Sequence, residues 1–507
     1  MSRSQNVKKG LISGTINNLL ALFLPFVTRT IIIYTFTSEY LGLGGLFTSL
    51  INVLNISELG FGSALSYLLY KPIAEKDTEK ICDILSFSRK AFCVIGTIVL
   101  GIGIVVLPFL NKLVSGDCPD EINLYILYVL YLANSVVSYF MFSYKRLLFS
   151  ASQRYDIETT IASVTLILQY VLQIIVLLLT KNYYLFVVMM IIASIANNII
   201  CQIVTKRYYP EYVCRGNLSK ADLQIVKKHV KGVFASKIGS TVFASVDNIV
   251  ISTFFGLALL GKYTNYHYMV TAVVAFFAII HNTIRPIFGN YIICESKEKN
   301  FNFFLQVSSL YNWLAAFCAC CLLCLFQDFI LLWAGDDYLF PVGYVFLFAI
   351  MFFIGRLNCM PNVYSEAAGL WNESKWVYLS AALLNLVLNI LLALIIGLPG
   401  VPIATILSSL LISAGGYIYV LFHYYFDEKG YTTRYLYKVM YNLLLQSIAI
   451  LLVYTMSTFI EANTITLFIV KTISVVILFG IIYTLLSLLN KKEFKNNLML
   501  LFSMIKK

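Results

Sequence analysis

The chain has 507 residues, of which 60% are hydrophobic and only 12% are charged. An average soluble domain has about 25% charged residues, so this composition excludes an ordinary water-soluble protein. The formal net charge of +12 does not require a nucleic-acid partner, because cationic loops beside membrane helices face an anionic inner leaflet.

Apolar segments long enough to cross a bilayer recur along the whole chain. A transmembrane helix needs roughly 20 mainly apolar residues, because it crosses about 30 Å of hydrocarbon at about 1.5 Å per residue. This criterion predicts about fourteen transmembrane helices and therefore an all-α integral membrane fold. In chain order the predicted helices cover residues 11–36, 41–69, 91–110, 122–144, 159–180, 183–204, 233–256, 264–290, 303–326, 342–364, 376–396, 400–424, 439–460 and 465–489.

Positive charges are distributed very unequally over the connections between these helices. If the amino terminus is cytoplasmic, 29 of the 37 Lys and Arg residues lie on the cytoplasmic side, and only Lys112, Lys181 and Lys262 lie outside. Because cationic loops resist translocation, we expect a multi-pass plasma-membrane protein with both termini in the cytoplasm. The external connections are short, and the sequence shows no cofactor motif, metal-ligand spacing or catalytic nucleophile. We therefore expect a transporter rather than an enzyme, without a cofactor.

The longest cytoplasmic connection follows the sixth predicted helix and separates two groups of six helices. Within it, Ser219 and Asp222 have the spacing of a capping box, and they predict the start of an amphipathic helix. The predicted regions are an N-lobe at 1–205, a linker at 206–232, a C-lobe at 233–425, and helices thirteen and fourteen with a basic cytoplasmic tail at 426–507.

An internal repeat supports the division into two pseudo-symmetric six-helix lobes. The segment TIIIYTF at 30–36 matches NIVISTF at 248–254 in four of seven positions, and further along the chain Gly42 falls opposite Gly261. Because each repeat has an even number of helices, both lobes enter the membrane in the same orientation. We expect the central cavity to lie between them.

Six charged residues stand out inside predicted helices, where an ionised side chain costs roughly 2.5–3.5 kcal/mol near the centre. They are Arg29, Glu58, Lys237, Asp247, Arg285 and Arg356. In the repeat, Arg29 aligns with Asp247 and Glu58 aligns with Arg285, so equivalent positions carry opposite charges. We predict that the two pairs meet across the lobes and close the outer and inner faces of the cavity in alternation.

Other roles for these charges are open. The pairs could be static and merely fix how the lobes pack, or Glu58 and Asp247 could carry protons. Lys237 lies close to a cytoplasmic helix end and could extend its amine to the interface, as we also expect for Lys471. Polar side chains on the predicted cavity helices are candidates for hydrogen bonds to sugar hydroxyls, in particular Asn17 and Asn55.

The six charges sum to a surplus of two positive charges in a medium of low dielectric constant. This surplus favours an anionic ligand, and the planar guanidinium group suits phosphate oxygens because it donates in parallel pairs and stays charged when buried. A carrier of cationic drugs should show the opposite balance. The candidate ligands for a phosphate-containing headgroup are Arg29, Arg285, Arg356 and Lys237.

Two blocks of sequence resemble the Wzx-type flippases of bacterial capsule and O-antigen repeat units. The first contains LPFVTRTIIIYTF at 24–36 and YLGLGGLFTSLINVLNISELGFGSALSYLLYKPIAEKD at 40–77, and the second contains SVDNIVISTFFGLALLGKYTNY at 245–266 and FGN at 288–290. The resemblance implies the multidrug, oligosaccharidyl-lipid and polysaccharide (MOP) exporter superfamily. That fold has two six-helix lobes, as in MATE transporters, here with two additional C-terminal helices.

The resemblance also implies a substrate, namely an undecaprenyl-diphosphate-linked oligosaccharide that crosses the bacterial plasma membrane. In the related lipid II flippases, cavity arginines on the first and eighth helices bind the diphosphate, and Arg29 and Arg285 match them here. The polysaccharide polymerase and the chain-length machinery would be protein partners. A lipid II flippase and a MATE-like drug or cation antiporter remain the alternatives.

Overall fold

A computed structural model describes residues 3–58, 60–116, 118–428 and 430–488. These residues are almost entirely helical and include no β-strand. The basic tail predicted from Lys491 onwards lies outside them. The α-helices of the described residues are α1 (Arg3–Thr35), α2 (Ser38–Leu54), α3 (Phe61–Glu75), α4 (Thr78–Val106), α5 (Leu124–Phe140), α6 (Arg146–Ala151), α7 (Tyr155–Thr180), α8 (Tyr183–Tyr208), α9 (Lys220–Cys294), α10 (Lys297–Ala334), α11 (Val342–Leu357), α12 (Cys359–Ala367), α13 (Trp371–Ile396), α14 (Gly400–Ser408), α15 (Gly415–Tyr424), α16 (Tyr431–Ser457) and α17 (Ile465–Ser487).

The predicted all-α integral membrane fold is confirmed, although the count of fourteen spans is not. In the described part of the chain, 11 helices are long and apolar enough to cross a membrane, or up to 12 if a bent pair forms one span. Two features lower the number. The 75-residue helix α9 contains two predicted spans, and the second predicted span is divided into α2 and α3, of 17 and 15 residues, by a 3-10 turn at Asn55–Glu58.

A break at Gly256 divides α9 at the end of the first of the two spans predicted at 233–256 and 264–290. Its φ of 85° is non-helical and lies in the region that favours glycine. The break leaves carbonyl groups of the preceding turn without helical partners. The loop after α4 supplies one partner, because the Ser115 N–H donates to the Ser252 carbonyl at 2.9 Å. In return, Ser252 Oγ donates to the Leu113 carbonyl at 2.7 Å.

The chain separates into two compact units, which we call unit 1 (Met1–Gly261) and unit 2 (Lys262–Lys507). In unit 1, α1 packs along α7, and α8 packs against both α5 and α7. The start of α9 confirms the predicted cap, because the Asp222 N–H donates to Ser219 Oγ at 3.1 Å. The lobe boundaries at 205, 232 and 425 stay predictions.

Two glycines of unit 1 make a reciprocal backbone contact. A Cβ atom at Gly42 would collide with the carbonyl oxygen of Leu257, and one at Gly261 would collide with the carbonyl oxygen of Ser38. In the sequence repeat Gly42 aligns with Gly261, and the same register aligns Ser38 with Leu257. The two contacts are therefore equivalent, as expected for helices related by a pseudo-two-fold axis.

In unit 2, α10 packs against α11, α16 and α17. Lys471 on α17 forms an ion pair with Asp328 on α10, with an Nζ–Oδ2 distance of 2.7 Å, and only 7% of Lys471 is exposed. The prediction that Lys471 extends to the membrane interface is therefore wrong. Helix α10 continues to Ala334, beyond the predicted end at 326, and this continuation places Asp328 beside the lysine.

Candidate functional site

Arg285 on α9 forms an ion pair with Glu366 on α12, with an Nη2–Oε2 distance of 2.6 Å. The Glu366 side chain is only 11% exposed, whereas 41% of the Arg285 side chain is accessible. The carboxylate therefore neutralises one part of the guanidinium group, and another part remains open to a ligand. This pair lies wholly within unit 2.

Arg356 and His281 extend this site. His281 Nε2 lies 2.7 Å from the Tyr311 hydroxyl, and Arg356 interacts electrostatically with both residues. Arg285 also acts electrostatically on His281. We refer to Arg285, Arg356, His281, Tyr311 and Glu366 as the cationic cluster. Two of the four predicted phosphate ligands thus act on one histidine.

A break between two short helices positions the cluster. Arg356 lies in the last turn of α11, and Glu366 lies on α12, which begins after Asn358. The Asn358 side chain donates from Nδ2 to the Ser409 carbonyl at 3.0 Å. Ser409 begins a π-helical segment between α14 and α15, and such segments often occur at functional sites because they disturb the regular backbone hydrogen bonds. Hydropathy alone contains no signal for this break.

The other predicted phosphate ligands, Arg29 and Lys237, belong to unit 1. Arg29 is partly buried on α1 and acts electrostatically on Tyr183 of α8. Lys237 is exposed on α9, and Asp247, ten residues further along that helix, is buried. The cross-lobe pairs of Arg29 with Asp247 and of Glu58 with Arg285 stay predictions.

Glu58 and Asn55 line a polar cavity of about 380 Å³ within unit 1, formed by α2, α5, α8 and the turns that follow α2 and α5. Glu58 Oε2 accepts a hydrogen bond from the Tyr139 hydroxyl at 2.6 Å. Asn55 Oδ1 accepts from the same hydroxyl at 3.2 Å and from Ser135 Oγ at 2.7 Å. These bonds fix the carboxylate and one amide at the cavity wall.

Arg146 also lines this cavity, and sequence reasoning missed it. The prediction placed Arg146 in the cytoplasmic connection after residue 144. In the structure, α5 ends at Phe140 and the chain bends by 52° into the segment Ser143–Ala151. Arg146 Nη2 then donates to Asn197 Oδ1 at 2.9 Å and to Asn198 Oδ1 at 3.4 Å. The adjacent asparagines inside an apolar helix were the available signal for a buried partner.

Asn17, the other predicted sugar contact, has a bond between helices. Its Oδ1 accepts from Ser163 Oγ at 3.1 Å and so joins α1 to α7. Asn17 is absent from the wall of the polar cavity as the structure describes it. A sugar contact by Asn17 stays a prediction, whereas Asn55 lies on a cavity surface.

Comparisons with known proteins find likeness in structure only. No family model and no curated protein matches the sequence. The lipid II flippase MurJ in an inward closed conformation matches with a TM-score of 0.68 at 13% identity, covering 94% of this chain and 98% of that chain. An inward-facing multidrug resistance MATE family transporter of the MOP superfamily matches with a TM-score of 0.63 at 13% identity, covering 82% and 98%.

A third structure belongs to a MOP superfamily transporter from Pyrococcus furiosus, whose binding pocket is described as having reverse polarity. It matches with a TM-score of 0.57 at 12% identity, covering 83% of this chain and 96% of that chain. At these identities the likeness concerns the fold. The chain is therefore an all-α, multi-pass membrane protein with the fold of MOP superfamily transporters.

Proposed function

We propose that the chain is a flippase that carries undecaprenyl-diphosphate-linked oligosaccharide repeat units from the cytoplasmic to the outer leaflet of the bacterial plasma membrane. The process that it serves is the biosynthesis of a surface polysaccharide. The observation that carries the proposal is the cationic cluster of unit 2, in which Arg285 and Arg356 lie close to His281. Two guanidinium groups against one carboxylate, Glu366, give this part of the membrane-embedded chain a positive surplus that suits a diphosphate.

The ion pair of Arg285 with Glu366 suggests how the headgroup binds and leaves. An arginine inside a membrane protein needs an anionic partner, because an unpaired charge at the centre of a spanning helix costs about 2.5–3.5 kcal/mol. Glu366 supplies that partner in the empty protein. A diphosphate offers more acceptor oxygens and more negative charge, so it can replace the carboxylate on the guanidinium group. When the headgroup leaves, Glu366 takes its place again.

Alternating access follows from the difference between these two states. A ligand shifts a conformational equilibrium only by its different affinity for the two conformations. Exchange of Glu366 for diphosphate on Arg285 supplies such a difference, because it frees the Glu366 carboxylate and neutralises part of the charge on the diphosphate. The membrane potential favours the outward step, since an anionic headgroup leaving a negative interior gains about 2.3 kcal/mol per charge per 100 mV. Proton transport by Glu58 or Asp247 is the other candidate for coupling.

A lipid II flippase is the second candidate function. Its specific support is the extent of the structural likeness, which reaches 94% of this chain for the lipid II flippase and 82% for the inward-facing MATE transporter. Lipid II also carries a diphosphate, so the cationic cluster fits both candidates. A drug or cation antiporter fits less well, because Arg285 and Arg356 would repel its substrate.

Deletion of the gene separates these functions. We expect a deletion strain to lose its surface polysaccharide, to grow normally and to accumulate the lipid-linked repeat unit, which extraction and mass spectrometry measure. The wild-type gene should restore the polysaccharide, whereas a gene with Arg285→Gln should not. A growth defect with intact polysaccharide would instead indicate the lipid II function, and unchanged polysaccharide, growth and drug resistance would refute any flippase role.

A further inference from the structure

We infer that the polar cavity of unit 1 binds one neutral, hydroxyl-rich sugar residue of the transported glycan. The inference rests on the proposed function and deepens it, because it assigns recognition of the sugar to one unit and binding of the diphosphate to the cationic cluster. Three properties of the cavity carry it, namely the polarity of its wall, its unused hydrogen-bonding groups and its balanced charge.

The wall of the polar cavity is far more polar than the chain around it. Of 14 lining residues, 12 have hydrogen-bonding side chains, and Ile51 and Met190 are the apolar ones. By the count that makes the chain as a whole 60% hydrophobic, which includes tyrosine, 4 of the 14 lining residues are hydrophobic. Polar groups within a membrane protein are costly unless they bind one another or a ligand. Such a wall is therefore suited to a ligand with many hydroxyl groups rather than to a lipid chain.

Several polar groups of the wall form no hydrogen bond with the residues that the structure describes. Among the described residues, no hydrogen bond is made by the side chain of Asn52, which is exposed. Asn134 accepts from Ser194 Oγ at 2.8 Å, which leaves its NH₂ group unused. The Oδ1 atom of Asn55 accepts two hydrogen bonds, and its NH₂ group is likewise unused. Three amides therefore present donors to the cavity, and Asn52 presents an acceptor as well.

The acceptor side of the site is held in place by hydrogen bonds. Tyr139 donates to Glu58 Oε2 at 2.6 Å, so the carboxylate is oriented and its other oxygen can accept from a sugar hydroxyl. Fixed donors and acceptors of this kind strongly favour a ligand with matching hydroxyl groups, because an analogue without them leaves buried groups unpaired.

The charge of the cavity wall and the volume of the cavity further restrict the class of ligand. Glu58 and Arg146 contribute opposite charges to the wall, so the cavity attracts neither a diphosphate nor a cationic drug. The volume of about 380 Å³ lies at the lower end of the range of roughly 300–1,000 Å³ for small-molecule sites. One sugar residue is the ligand that satisfies both conditions, whereas a whole repeat unit is too large.

The test compares two lipids that differ only in the presence of sugar. Purified protein in lipid nanodiscs is titrated with undecaprenyl diphosphate and with the lipid-linked oligosaccharide that accumulates in the deletion strain. The cavity variants are Asn52→Leu, Asn134→Leu and the conservative Asn52→Gln. Arg285→Gln tests the diphosphate site, and Asn372→Leu, on an exposed asparagine at the start of α13, serves as the matched control.

We expect Asn52→Leu and Asn134→Leu to weaken binding of the glycosylated lipid at least tenfold and to leave binding of undecaprenyl diphosphate within twofold. Asn52→Gln should retain more affinity than Asn52→Leu, because it keeps the amide. Arg285→Gln should weaken the binding of both lipids, whereas Asn372→Leu should weaken the binding of neither lipid. Thermal unfolding of each variant verifies that it is folded, and the exposed position of Asn52 makes its replacement compatible with folding.

Each contrary result has its own meaning. The sugar site would be overturned if the asparagine variants lost affinity equally for both lipids, or lost affinity for neither. The diphosphate site would still stand, and the cavity would then be a hydrated polar network. If wild-type protein bound neither lipid, or if no lipid-linked oligosaccharide accumulated, the proposed function would fall and the sugar site with it.

Discussion

Gly42 and Gly261 each lie against a backbone carbonyl group of the other repeat, Gly42 against Leu257 and Gly261 against Ser38. Helices approach so closely only where no side chain intervenes, which is why small residues are enriched at helix contacts in membranes. Because the two contacts are equivalent in the repeat, they provide structural support for the pseudo-symmetry that the sequence predicts.

The first prediction concerns these glycines. Gly42→Ala and Gly261→Ala should each lower the free energy of unfolding by about 1–3 kcal/mol, because the added methyl group overpacks a contact made of backbone atoms. The two effects should be similar, since the surroundings are equivalent. Thermal unfolding of detergent-solubilised protein measures them.

Gly62 and Gly289 are matched controls, because they also align in the repeat and a Cβ atom at either position would meet nothing within 4 Å. Alanine there should be tolerated or should stabilise the helix by up to about 1 kcal/mol. Equal destabilisation by all four substitutions would argue against a special contact at Gly42 and Gly261.

The second prediction concerns the ion pair of Arg285 and Glu366. Arg285→Gln should weaken binding of undecaprenyl diphosphate at least tenfold, which corresponds to about 1.4 kcal/mol, and should abolish export of the polysaccharide. Glu366→Gln should strengthen binding, because the carboxylate no longer competes with the phosphate, and should slow transport by delaying release. Lipid binding in nanodiscs and polysaccharide at the cell surface are the two measurements.

Arg207→Gln removes the same charge from an exposed position at the end of α8 and serves as the control for that experiment. It should leave lipid binding unchanged. If Arg207→Gln and Arg285→Gln reduced binding to the same extent, general electrostatic attraction would explain the effect and the assignment of the diphosphate to Arg285 would be wrong.

The third prediction concerns the attachment of α17. Lys471→Met leaves Asp328 without its partner, and breaking a buried ion pair costs about 3–5 kcal/mol. We expect a large decrease in thermal stability. The double variant Lys471→Met with Asp328→Asn should recover most of it, because neither side chain is then charged. A double variant as unstable as the single one would show that packing, and not charge, determines the loss.

The fourth prediction concerns the break in α9. Gly256→Ala forces a residue with a side chain to adopt a φ of 85°, and its Cβ atom would lie 2.7 Å from the Ser115 carbonyl oxygen. Such strain costs about 1–3 kcal/mol, so the melting temperature should decrease. Gly343→Ala, where a Cβ atom would meet nothing within 4 Å, is the control and should have little effect on it.

Hydropathy predicted the helical spans well because a bilayer-spanning segment must be apolar over a defined length. It did not predict where those segments break. The turn at Asn55–Glu58, the division between α11 and α12 and the π-helical segment at 409–414 all lie inside apolar runs. A change in backbone direction there leaves the hydropathy unchanged, so its signal must come from backbone geometry.

Three charged partners of residues inside the helices were missed for one common reason. Arg146, Asp328 and Glu366 each lie two residues beyond the end of a predicted span, at 144, 326 and 364. The charge itself ended the apolar run, and each residue was therefore assigned to a connection. In the structure, a helix continues past Asp328, and bent or broken helices bring Arg146 and Glu366 back to partly buried positions.

Gly256 has a further consequence for how such a chain diverges after gene duplication. The two repeats keep a spacing of 218 residues up to Phe36 and Phe254 and of 219 residues from Ser38 and Leu257 to Gly42 and Gly261, so the second copy has one more residue at this point. Within a helix, that insertion would rotate every following side chain by about 100°. At a position with non-helical backbone it leaves both flanking helices in register, so the break at Gly256 can absorb a change in length that a continuous helix could not.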